Sequence, residues 1–187
     1  MVLELDWIEE QHELGSAFAA DLPGEPSAGI ATVMVMGRGE ENKMILTICD
    51  TETRTRFIYR ADVNRVQEGQ AKTLAVDMIS RWAHAYHCGL RQIIEGDWTP
   101  QWKGTERPSL CTAALPATIG AFASVDTEGR THTLAVTYER ATVFHAVKTM
   151  TATQADVFRW ATARLRTQWA PNMERRLDSL LNKIGEP

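Results

Sequence analysis

A chain of 187 residues with 24 acidic and 20 basic side chains and 44% apolar residues is too apolar for a disordered segment and too polar for a bundle of membrane helices. Its three cysteines, Cys49, Cys88 and Cys111, are odd in number and share no paired spacing, which argues for reduced thiols rather than a disulfide scaffold. No basic residue precedes Arg38, and the longest strongly apolar run, Ile30 to Met36, is far below the ~20 residues of a bilayer helix, so a soluble cytoplasmic protein with no membrane partner is expected.

In chain order, Leu3, Trp7, Leu14 and Phe18 recur at near-helical spacing ahead of the stop signal Leu22-Pro23-Gly24, which predicts a helix over 4–20, with a short strand the alternative left open by the alternation Leu3, Leu5, Trp7. Three β-rich runs follow, Ile30 to Met36, Lys43 to Cys49 and Thr55 to Arg60, separated by short polar turns. The period then switches. Ala71, Leu74, Ala75, Met78, Ile79, Trp82 and Tyr86 mark the apolar stripe of a helix over 70–88 that Gly89 is expected to stop. Leu90 to Glu95 reads either as a continuing helical turn or as a strand, and residues 96–117, with Gly96, Pro100, Gly104, Pro108 and Pro116, as a linker or crossing loop. Three further strands are predicted at Thr118 to Val125, Thr131 to Tyr138 and Ala141 to Lys148. Thr151 with Gln154 then reads as a capping box opening a helix, Pro171 as its break or restart, and Met173, Leu177, Leu180, Leu181 and Ile184 as the stripe of a last helix.

The fold class expected from this order is α+β: two antiparallel three-stranded meanders, each followed by an amphipathic helix in a βββα-like pseudo-repeat, with an N-terminal helix and an extra C-terminal helix. The corresponding division is an α-βββ-α half over 1–97, a connecting loop over 98–116 and a βββ-αα half over 117–187, together forming one domain.

Charge is unevenly placed. Residues 1–37 carry seven acids and no base, whereas residues 140–187 carry eight bases and four acids. An acidic front of Glu4, Asp6, Glu9, Glu10 and Glu13 would repel nucleic acid and attract a basic groove on another protein. Trp98 and Trp102, in a polar loop, are candidate aromatic anchors for such an interface. In the opposing reading the acidic N-terminal helix lies near the arginine-rich C-terminal helices, so that the asymmetry cancels within the fold, and the tryptophans cap the core from outside.

Catalytic signals are weak. His84 and Cys88 fall on one helix face with His87 beside them, a partial ligand set for zinc or a thiol hydrolase, but no further ligand spacing supports it. A Cys111–His132 pairing would depend on folding to bring the two together. Arg159, Arg164, Arg166, Arg175 and Arg176, interleaved with Trp160 and Trp169, offer phosphate and stacking contacts, against which stands the sequence pI of about 5.7. The expectation is a non-enzymatic protein-binding module without a cofactor. It would be an inhibitor or chaperone of a larger protein or protein–nucleic-acid assembly, in the manner of an immunity factor or a phage anti-defence protein such as an anti-CRISPR. A homodimer, the hydrolase and nucleic-acid binding are the alternatives.

Overall fold

Burial between Gly15 and Asp21 alternates residue by residue, with Ser16, Phe18 and Ala20 inside and their neighbours turned outward. That period of two belongs to a strand covered on one face. In the computed structural model, which describes residues 3–12, 15–24, 28–37, 42–49, 57–139 and 141–185, the predicted N-terminal helix is accordingly a hairpin of β1 (Ile8–His12) and β2 (Gly15–Asp21). The helical propensity of Ser16 to Ala20 yields because β2 is paired along its whole length to β3 (Ile30–Met36). Gly15, with φ of +148°, allows the closest approach; a Cβ there would fall 1.8 Å from the Val35 carbonyl oxygen.

The first sheet continues through β4 (Lys43–Cys49) and β5 (Phe57–Asn64), all antiparallel in the order β1-β2-β3-β4-β5. The predicted runs for β3 and β4 match their observed bounds. The predicted meander gains two strands because its leading helix is a hairpin. Val33, Leu46 and Ile48 line the inner face with no exposure. The long helix α1 (Ala71–Glu95) meets that face, with Lys72 Nζ 4.4 Å from the Phe18 ring centre and Trp82 tilted against Tyr59 at 5.8 Å. Burial raises the Tyr59 phenol above its ordinary pKa.

The chain divides into two compact units, Met1–His84 with Arg176–Pro187, and Ala85–Arg175. In the second unit Gly89 does not stop α1, and of the two readings of Leu90 to Glu95 the continuing helix is the one observed. Gly89 serves close packing rather than termination: a Cβ there would lie 2.5 Å from Thr118 Oγ1 and 2.8 Å from Ile119. The helix is ended instead by Gly96, at φ +91°. Arg166 donates to the Ile93 carbonyl at 3.2 Å, supplying charge-assisted capping where the helix leaves its last carbonyls without partners.

Two strands arise in the stretch read as a loop, β6 (Lys103–Gly104) and β7 (Leu110–Ala114). They join β8 (Phe122–Glu128), β9 (Thr131–Tyr138) and β10 (Ala141–Thr149) in a second antiparallel sheet of order β10-β9-β8-β7-β6. Each meander therefore has five strands rather than three. Asp126 lies within β8, and the turn to β9 is Gly129-Arg130.

The capping box is Thr153 with Asp156, two residues later than the expected Thr151 with Gln154, and it opens α2 (Gln154–Arg164). The helix does not break at Pro171. A π-helical turn, Leu165–Trp169, carries it into α3 (Ala170–Ile184). A wider turn just before a proline relieves the clash between its ring and the preceding carbonyls. Among the described residues, no helix is long and apolar enough to cross a membrane.

Candidate functional site

The acidic front does not present one face. Strand alternation turns Glu9 toward the inner side of the first sheet, where its carboxylate meets Lys72 Nζ at 3.4 Å and accepts from Gln11 at 2.7 Å. Glu10, its neighbour, points the other way. With Glu4, Asp6 and Asp21 it lines a groove of about 650 Å³ on the first unit. Glu13 lies outside the described residues.

The register explains the floor of this groove. Ile8 pairs with Ala19 and Ala19 with Thr32, so all three share the outer face, as do Ala17 and Met34. Small side chains in the middle of that face leave a shallow channel. Ile8 stands beside it at 70% exposure, a large apolar side chain on the sheet's terminal strand. Lys183, near the end of α3, is the one cation among the described residues lining the channel. The arrangement suits an extended segment that carries positive charge and alternate apolar side chains.

Sequence reasoning missed Ile8 because it lay inside the predicted helix 4–20, and Asp21 because it fell between that helix and the stop signal Leu22-Pro23-Gly24. The alternation over 15–21 is one of burial and not of residue type, with Ser16 inside and Ala17 and Ala19 outside, so the spacing of Leu3, Leu5 and Trp7 was the strand signal the sequence offered.

The two loop tryptophans are held differently from exposed anchors. Trp102 stacks on Phe158 of α2 with ring centres 5.2 Å apart and planes 10° from parallel. Trp98 is half-buried, and its backbone N–H donates to the Gln92 carbonyl at 3.0 Å, closing the end of α1.

His84, His87 and Cys88, the alternative metal or thiol set, are not brought together by α1. His87 Nε2 faces Glu174 at 3.4 Å, in a network where Arg91 joins Glu174 to Glu95. Those carboxylates, Glu95 foremost, raise the Arg91 pKa above its ordinary value. Cys88 is exposed, and His84 is partly buried with its Nε2 enclosed and unpartnered. Among the described residues, no group of three or more histidine, cysteine, aspartate or glutamate side chains is placed to hold a metal ion.

The C-terminal arginines are largely engaged within their own helices. Arg159 pairs with Asp156, Arg164 donates to Gln168, Arg175 to Asn172, and Arg166 caps α1. Comparison with protein-family models, with curated proteins and with solved structures found no match in any of the three.

Proposed function

We propose that the chain is a protein-binding module that docks a cationic, partly apolar segment of a larger partner and so inhibits or chaperones it. The observation that carries this reading is the channel on the outer face of the first sheet. It combines Glu4, Asp6, Glu10 and Asp21 with an alanine floor and the exposed Ile8. Carboxylates around such a channel favour encounter with positive charge, while Ile8 and the floor offer area to a desolvated contact. The terminal strand β1 supports addition of a further strand by the partner.

The test uses a synthetic peptide of alternating lysine and leucine and its glutamate–leucine counterpart. The basic peptide should associate with the protein, with an on-rate that falls as salt rises, and the acidic one should not. The combined Glu4→Lys, Asp6→Lys and Glu10→Lys variant should slow association at least tenfold and abolish its salt dependence. Equal binding of both peptides, or an unchanged rate in that variant, would refute the proposal.

A further inference from the structure

The inner face of the second sheet changes character at one end. Cys111, Val125 and Leu134 form one cross-strand row, and Ala113, Ala123 and Val136 the next, all buried. Two residues along each strand in the opposite direction, the row is Ser109, Thr127 and His132. A polar row on a core-facing surface is costly unless its groups are satisfied, so its presence calls for a physical reason.

His132 is 3% exposed, and both ring nitrogens are engaged, Nε2 with the Met150 carbonyl at 3.2 Å and Nδ1 with Thr127 Oγ1 at 3.1 Å. A carbonyl can only accept, so Nε2 carries the proton, and in the neutral ring Nδ1 accepts from the Thr127 hydroxyl. This leaves the Thr127 oxygen as an acceptor. It also leaves no imidazole nitrogen to activate Cys111, although folding does bring the two residues to one cavity.

That cavity, about 250 Å³, lies between the polar row and the first turns of α2. Val125, Val157 and Phe158 supply apolar wall, and the stack with Trp102 fixes the Phe158 ring. Gln154 Nε2 donates to Cys111 Sγ at 3.5 Å, which orients the amide. Its oxygen, the Ser109 hydroxyl and the Thr127 oxygen remain to pair with a guest. The described lining holds no aspartate, glutamate, lysine or arginine, so an ionic guest would lose its hydration without a salt-bridge partner of those types. A void of roughly 150 Å³ already accommodates benzene, whereas drug-sized sites start near 300 Å³.

We infer that this cavity is a binding site for a small uncharged molecule, a single ring bearing one amide-type group that both donates and accepts hydrogen bonds. The ring packs on Val157 and Phe158, and the polar group meets Ser109, Thr127 and Gln154. The site belongs to the second unit and does not depend on the docking channel of the first.

Benzamide is the probe, with benzoate and benzamidine as charged controls of the same shape and toluene as the apolar one. Benzamide should give saturable amide and methyl shift changes in NMR, centred on Val125 and Val157. It should also slow alkylation of Cys111 by iodoacetamide, mapped by peptide mass spectrometry, without slowing that of Cys88. The charged controls and toluene should bind at least about tenfold more weakly. Ala152→Phe, which fills the mouth of the cavity, should abolish saturation. Ser109→Ala removes a hydrogen-bonding group without changing the wall, and it should weaken benzamide severalfold with no change in melting temperature. That second variant keeps the test decisive should the larger one fold poorly. No saturation by benzamide up to its solubility limit, equal response to benzoate, or affinity unchanged in Ser109→Ala would overturn the assignment.

Discussion

Gly89 shows how one missing Cβ decides a local outcome. Its contacts with Thr118 and Ile119 leave no room for a methyl group, so Gly89→Ala should destabilise the protein by about 1–3 kcal/mol despite alanine's better helix propensity. Gly104→Ala is the control. Nothing lies within 4 Å of a Cβ there, and the change should stay within about 0.5 kcal/mol in the same denaturant titration. Asp156 carries a pH signature. Hydrogen bonds from the Thr153 hydroxyl and backbone amide, followed by Arg159, hold its carboxyl below the ordinary carboxylate value. A depressed folded pKa stabilises the fold above the unfolded value of about 3.9, and that contribution is lost as pH falls through the folded value. The stability difference between the protein and Asp156→Asn should therefore be constant from pH 8 to 6 and vanish in strong acid. A difference that persists undiminished at pH 2 would assign the effect to geometry alone.

Elements in this protein end where a partner group meets them, more than where their own sequence changes. The stripe of α1 was legible from Ala71 to Tyr86, yet its last two turns depend on residues far away in the chain. Arg166 reaches the Ile93 carbonyl, and its guanidinium packs by Gly96. Arg166→Met keeps most of the stem and removes the cap. It should cost roughly 0.5–1.5 kcal/mol and speed hydrogen exchange at the Trp98 amide, which closes the same helix end. Exchange at Trp98 identical to that of the unaltered protein would show that Gly96 and the backbone suffice. The hairpin of β1 and β2 makes the same point for strands. Leu3, Trp7 and Phe18 fit a helical period by spacing, while pairing of β2 with β3 selects the alternating one.

For the whole molecule, the segmental charges of the sequence resolve into different local uses. Acids of the front are shared between the ion pair Glu9–Lys72 and the docking channel, and most of the C-terminal arginines bond within their own unit. With a net charge of −4, the protein should show no salt-dependent retention on a 30-base-pair duplex at 50 mM salt. Retention with a steep salt slope, lost on Arg159→Ala with Arg176→Ala, would instead favour a nucleic-acid surface. Residue order alone determined the α+β class and the bounds of β3, β4 and β9, because runs rich in β-branched and apolar residues are closed off there by short polar turns. It could not reveal β6 and β7, the end of α1, the outward grouping of Glu4, Asp6, Glu10 and Asp21, or the row of Ser109, Thr127 and His132. Each of these depends on which strand or helix lies alongside, and cross-strand register and close approach are properties of the folded chain, set by packing between residues distant in sequence.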